Sequence, residues 1–184
     1  MKKLTLLFLS SIMMLFTACG TETRLNNPTR FDMWEYMTAT VDYGVKYEFY
    51  ENGQFVNDYV EEHRLLTNNT YERVSNDGVT TLYLNGSNIL MREPSQDVRV
   101  ERYVHLGDRG IFNAPTIRGC SAERFYRTYE RRGRRFNDVL MVECESTSGV
   151  VQEYFYGYNE GLVAIYKDDG VNQMEWIKVD ESRI

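Results

Sequence analysis

A chain of 184 residues with only three prolines and 14% aromatic residues, 14 of them tyrosine, has the composition of one ordered domain and not of a disordered chain. Its formal net charge of −6 excludes a general binder of nucleic acid or of anionic membrane surface. Cys19, Cys120 and Cys144 are an odd set, so at most one intramolecular disulfide is available to an exported protein.

The first element is an address. Lys2 and Lys3 precede an apolar run, Leu4 to Phe16, interrupted only by Thr5, Ser10 and Ser11. That run falls short of the roughly 20 residues a helix needs to cross a bilayer core. Two positive charges, a short apolar stretch and small residues form the pattern of a cleavable secretory signal. The small residues Thr17 and Ala18 lead directly into Cys19.

Through Phe16-Thr17-Ala18-Cys19, residues 1–20 resemble the precursor of a bacterial lipoprotein, although Phe16 stands where that class most often carries Leu. The resemblance implies cleavage before Cys19 and a diacylglycerol on its sulfur. Because Gly20 and not Asp follows, it also implies passage to the outer membrane, with the domain facing the periplasm. Each acyl chain would contribute about 0.8 kcal/mol per buried CH₂, and more than one chain gives stable anchoring. An ordinary secretory signal, cut nearby and leaving Cys19 a free thiol, is the plainer alternative. The expected division is a signal peptide at 1–18, a lipidated cysteine and polar tether at 19–30, and a single β domain at 31–184. Loss of the two leader lysines takes the net charge from −6 to −8.

Phe31 to Met37 reads as a short helix or a first strand, its Trp and Met filling core and not holding a cofactor. Beyond it the apolar residues alternate, as in Tyr47 to Tyr50, Thr81 to Leu84, Val98 to Val104 and Val171 to Val179, which is strand periodicity. Tripeptides ending in glycine separate the strands: Glu51-Asn52-Gly53, Asn76-Asp77-Gly78, Arg131-Arg132-Gly133, Asn159-Glu160-Gly161 and Asp168-Asp169-Gly170. Each suits a three-residue hairpin loop with glycine in the left-handed position, and Asn85-Gly86 suits a two-residue loop. The pattern predicts an all-β, antiparallel meander of about 10–12 strands, too many for a flat sheet. A barrel or half-barrel is the expected form, a two-sheet β-sandwich the alternative.

If Arg131-Arg132-Gly133 is a three-residue loop, Glu130 stands opposite Arg134, and the same register sets Cys120 opposite Cys144. The shorter loop, Arg132-Gly133, would set Cys120 opposite Glu145 and force positive φ on Arg132, which a non-glycine residue resists. Opposed Cβ atoms about 4.5–5.5 Å apart are within adjustment of a disulfide. A Cys120–Cys144 bond is therefore expected, two buried thiols being the alternative. The same register places Phe136, Leu140, Val142 and Cys144 on one core face with Cys120, Ala122 and Tyr126. It also turns Arg124 and Asp138 inward as a candidate ion pair.

From Arg99 to Arg135 ten arginines face four acids, a net +6 against −14 for the rest of the mature chain. These arginines either pair with the acidic remainder or, at the projecting tip formed by Arg131, Arg132, Arg134 and Arg135, offer a site for an anion or an acidic partner. Internal pairing is hardest at that tip. The stretch "EYFYGYNEGLVAIY", residues 153–166, is apolar or aromatic on both faces, so it should form a central hairpin covered on two sides. Folding at Asn159-Glu160-Gly161 sets Tyr156 opposite Ala164 and Tyr154 opposite Tyr166. The stretch resembles a strand-turn-strand recurrent in extracytoplasmic bacterial lipoproteins.

His63 and His105 sit in no metal spacing, Glu61-Glu62-His63 reads as the polar end of a strand, and no nucleotide, thiol or hydrolase motif occurs. The expectation is a protein that is not an enzyme and uses no metal or cofactor. The expected role is that of a lipid-anchored, periplasm-facing binding or scaffolding module of the cell envelope. Its partners would be the membrane, through the lipid on Cys19, and an acidic protein or anionic envelope glycolipid, with no nucleic acid. The competing expectation is a lipid or lipoprotein carrier whose curved sheet encloses an apolar cavity.

Overall fold

The computed structural model describes residues 28–40 and 42–183, so the expected leader and the lipidation at Cys19 lie outside the described residues. A two-residue strand β1 (Phe31–Asp32) leads into one short helix, α1 (Met33–Met37). Then follow β2 (Tyr43–Glu51), β3 (Gln54–Thr67), β4 (Thr70–Ser75), β5 (Gly78–Asn85), β6 (Asn88–Arg92) and β7 (Asp97–Glu101). The short strands β8 (Tyr103–Val104) and β9 (Phe112–Asn113) precede the long hairpin of β10 (Ile117–Arg131) and β11 (Arg134–Ser146). The chain closes with β12 (Val151–Gly157), β13 (Gly161–Asp168) and β14 (Gln173–Arg183).

Among the described residues, twelve of these strands form one antiparallel sheet in the order β10-β11-β12-β13-β14-β2-β3-β4-β5-β6-β7-β9. The order is the chain order with one join, β14 pairing with β2 so that Trp176 lies opposite Phe49. The free edges nearly meet. Residues just before β9 run along β10, with Gly107 N donating to Ala122 O at 2.7 Å, Gly110 N to Cys120 O at 2.7 Å and Ala122 N to Asp108 O at 3.1 Å. The sheet is thus an almost closed barrel. Alternation selects its lining: Tyr43, Val45 and Tyr47 on β2 and Val98 and Val100 on β7 are buried, their neighbours less so.

One end of the barrel is stoppered. Asp32 caps α1 by accepting from Trp34 N at 3.1 Å and receives Arg102 through two nitrogens at 2.9 and 2.7 Å. Pairing of β1 with β8, Phe31 opposite Val104, ties the stopper to the wall. Met33, Trp34, Tyr36 and Met37 are buried in the interior core, so the segment read as helix or strand is both and serves as filling.

The β10–β11 hairpin corrects the sequence expectations in an instructive way. Arg131 lies opposite Arg134, so the loop is the two-residue Arg132-Gly133, with φ of +49° and +72°. Positive φ at both positions gives the hairpin turn that matches strand twist. The cost on Arg132, about 1–2 kcal/mol, is offset by the contacts of its guanidinium, which lies 4.0 Å from the Tyr50 ring centroid and donates to Glu175 at 2.8 Å. A bulge between Ala122 and Arg124 then restores the register one residue, so that Cys120 does face Cys144 and bonds to it at 2.05 Å.

Arg124 and Asp138 are not an inward pair. Arg124 is exposed, its guanidinium 5.8 Å from the Tyr126 ring. Asp138 takes φ +49° at the place where β11 leaves β12, whose pairing starts only at Val139 with Gly157. Beyond that bend the hairpin folds over the outside of the barrel as a flap. The expected single core face of this hairpin is accordingly split. Leu140, Val142, Cys144, Cys120 and Ala122 belong to the interior. Phe136 and Tyr126 join Val139, Met141, Phe155, Val163, Ala164 and Ile177 in a second cluster under the flap.

The β12–β13 hairpin lies within the sheet and is covered by the flap on its outer face only. Its inner face lines the interior instead of being covered as expected, and its register also differs. The loop is Tyr158-Asn159-Glu160, one residue earlier than expected, which sets Tyr156 opposite Leu162; a bulge between Phe155 and Tyr156 then sets Tyr154 opposite Ile165 and Glu153 opposite Tyr166.

The flap is latched at its tip. Both Arg131 and Arg132 donate to the carboxylate of Glu175, which is 5% exposed on β14. Removing both arginines leaves a buried unpaired carboxylate, whereas removing Glu175 leaves two cations able to turn to water. Replacing both arginines by Ala should therefore cost about 3–5 kcal/mol and Glu175→Ala about 1–3 kcal/mol. Urea-unfolding midpoints of the two variants check the order.

Candidate functional site

The stopper fills only one end. The remainder of the interior is a cavity of about 580 Å³. Tyr47, Tyr59, Tyr154, Tyr156, Phe112 and Trp176 form its walls, with Met91 and Val98 among the aliphatic lining. Its mouth is ringed by polar residues from the turns opposite α1: Asp77, Glu93, Gln96, Ser146, Ser148 and, on the adjoining strand ends, Gln152 and Lys167. Cys144 also lines it, so the disulfide is part of the wall.

Between stopper and cavity lies a polar network. His63 is 1% exposed on β3, and its ring joins Glu61 at 3.0 Å through Nε2 and the Tyr71 hydroxyl at 2.7 Å through Nδ1. Burial holds the His63 pKa below its ordinary value, against the opposing pull of the Glu61 hydrogen bond. With the ring neutral, Nε2–H donates to the Glu61 carboxylate and Nδ1 accepts from Tyr71. Burial alone would raise the Glu61 carboxyl. The His63 hydrogen bond, the Arg73 charge and a Tyr59 hydrogen bond outweigh it and hold the group below its usual range.

Arg73 stands opposite His63 on β4 and reaches into the same space. Burial works against its charge, but Glu61 and the surrounding phenols and acids hold it charged. Its Nη2 meets the Met91 sulfur at 3.7 Å, while its Nε is buried without a hydrogen-bond partner among the described residues. No carboxylate of the described residues lies within ion-pair distance of it. The wall phenols stay protonated at neutral pH: burial pushes Tyr47 and Tyr156 well up and Tyr154 to about 12. The Tyr47 hydroxyl is already committed, donating to Leu162 O at 2.9 Å. The site thus offers aromatic faces, a deep cation and a few hydroxyls, the equipment of recognition.

No family model matches the chain. None of the curated proteins matches it either. Among solved structures it is similar to the crystal structure of the hypothetical lipoprotein YmcC from Escherichia coli (K12), with 12% identity, 76% of this chain and 88% of that chain covered, and a TM-score of 0.36.

The arginine tip is a latch more than a free surface. Arg131 and Arg132 are taken by Glu175, Arg135 has the exposed Glu130 at 3.7 Å, and Arg134 is left open to solvent among the described residues. Internal pairing, expected to be hardest at a projecting tip, succeeds because the tip does not project.

Glu61, His63 and Arg73 do not stand out in the sequence. Tyr59-Glu61-His63 and Tyr71-Arg73 alternate with Val60, Glu62, Arg64 and Glu72, and polarity does not tell the two faces apart. Val60 is in fact the outward residue, 56% exposed. The tyrosine heading each inward series is the usable signal.

A pH consequence follows from His63. Its folded pKa lies below 6.5, so on acidification the unfolded chain takes up the proton first and stability falls from about pH 6.5 downward. Glu61, held below 4.5, adds a further loss when the pH falls below that value. The melting temperature should drop between pH 7 and 5.5, and His63→Gln should flatten that part of the profile. An identical slope in the variant would count against the assignment.

Proposed function

We propose that this chain is a membrane-tethered binding protein of the cell envelope, whose barrel takes a small amphipathic molecule into its interior and holds it without converting it. The carrying observation is the hollow half of the barrel. A volume of about 580 Å³ falls in the ~300–1,000 Å³ range of small-molecule sites. Its walls are tyrosine, tryptophan and methionine, and its charged groups lie at the bottom and the rim. A scaffold has no use for such a space. The leader and Cys19 support the tether, and the proposed face is that of the outer membrane toward the periplasm.

A second reading rests on the hairpin tip. Arg134 and Arg135 remain exposed there, and they present positive charge to an acidic protein or an anionic envelope glycolipid. The latch leaves this surface half the size the sequence suggested, so the interior is the stronger site.

Two measurements test the reading. Cells grown with labelled palmitate should label the wild type and not Cys19→Ser. For the interior, the full chain in lipid nanodiscs is titrated calorimetrically with three probes sharing one aromatic body: 2-naphthoate, 2-naphthamide and 2-naphthylmethyl-trimethylammonium. Empty discs serve as reference. At least one probe should bind one to one, and Gln152→Trp, which fills the mouth, should weaken it at least tenfold. Binding untouched by that substitution, or no binding at all, argues against an interior site.

A further inference from the structure

The charged groups facing the cavity are Glu61, Arg73, Asp77, Glu93, Glu145 and Lys167. Counted by sign they favour a cation, but their positions do not. Glu145 is engaged by Arg118 at 2.7 Å, and Glu93 accepts from Gln96 at 3.4 Å. Asp77 is exposed at the β4–β5 turn. At such wet positions charge attracts weakly. Glu61 is deep, but its carboxylate is already bonded to His63 at 3.0 Å. Arg73 is a deep charge with donors poorly met: among the described residues its buried Nε has no hydrogen-bond partner, and its Nη2 has a thioether as neighbour. A buried donor left unpaired costs about 1–3 kcal/mol, and a thioether is a weak acceptor.

We propose that the cavity's ligand is an amphipathic monoanion of carboxylate type, seated on the Nε–Nη2 edge of Arg73 with its apolar body between the wall tyrosines. This rests on reading the cavity as a ligand site. A planar carboxylate matches that guanidinium edge with two parallel hydrogen bonds. The Met91 thioether lies against Nη2 and, flexible about three bonds, swings aside for the incoming oxygen atoms. Tyr154 and Tyr156, stacked with ring centroids 6.2 Å apart, and Trp176, stacked on Phe49 at 4.6 Å, give flat surfaces for the apolar part. Lys167 at the rim adds positive charge on the way in.

The same three probes decide it. Wild type should bind 2-naphthoate at least tenfold more tightly than 2-naphthamide and more tightly still than the trimethylammonium compound. Arg73→Gln should abolish the preference for the acid over the amide, and Arg73→Lys should retain part of it. The wild-type ranking needs no variant, so a misfolded Arg73→Gln does not shield the proposal. Equal affinities for the acid and the amide, or tightest binding of the cation, overturn it while leaving the interior site standing. Failure of all three probes to bind overturns both.

Discussion

Strand number sets the width of a barrel, and about eight strands already give an interior that side chains just fill. A nearly closed sheet of twelve strands is wider than its own lining can occupy, and much of the remaining architecture answers that excess. At one end the answer is inserted material. The α1 segment brings Met33, Trp34, Tyr36 and Met37 into the lumen, held there by the Asp32–Arg102 pair and the β1–β8 ladder. Toward the other end none of the described residues is inserted, and the lumen stays open as the cavity. Filled and hollow halves meet at Glu61, His63 and Arg73, polar groups that a fully packed core could not tolerate and a fully open one would not order.

The outside of the barrel has a matching problem. Phe155, Val163, Ala164 and Ile177 make an apolar patch on the convex face of β12–β14, which water would otherwise cover. The long hairpin supplies the missing layer by bending at Asp138 and laying Tyr126, Tyr129 and Phe136 over it. This also resolves the lopsided charge of the sequence. Arg102 with Asp32, Arg118 with Glu145, and Arg131 and Arg132 with Glu175 are all pairs formed between distant parts of the chain. Four of the ten arginines of the basic segment are therefore fasteners to other parts of the chain.

Much of this was legible, and the failures have definite causes. Period-two alternation and glycine-ended turns reveal a meander of about this many strands because antiparallel neighbours need no information beyond their own hairpins. The Cys120–Cys144 pair is legible too, but by a path that two one-residue displacements happen to cancel: the shorter loop at Arg132-Gly133 and the bulge beside Arg124. A left-handed arginine is unfavourable in isolation, and only the distant Tyr50 and Glu175 make it acceptable. Bulges and backbone bends leave no mark in a single sequence, which is why Arg124 and Asp138 were misassigned, and a turn placed one residue late displaced the Tyr154–Tyr166 register. The interior polar groups were hidden for a different reason. A wet lumen and bulk solvent select the same residue types, so Glu61 and Arg73 look like Glu62 and Glu72.

The position of the disulfide has a mechanical meaning. Among the described residues, the ring has one seam, between β9 and β10, bridged by the short segment before β9 and not by a long ladder. Edge strands at such a seam are where a sheet frays first. Here the strand on one lip, β10, is riveted to β11 by a bond spanning 24 residues, a constraint on the unfolded chain of about 3 kcal/mol. The rivet lies at the root of the hairpin, below the bend. A tear that starts at the seam, or a flap that lifts from its latch, is thus arrested before it reaches the wall of the lumen. The barrel can breathe at its weakest line without unravelling.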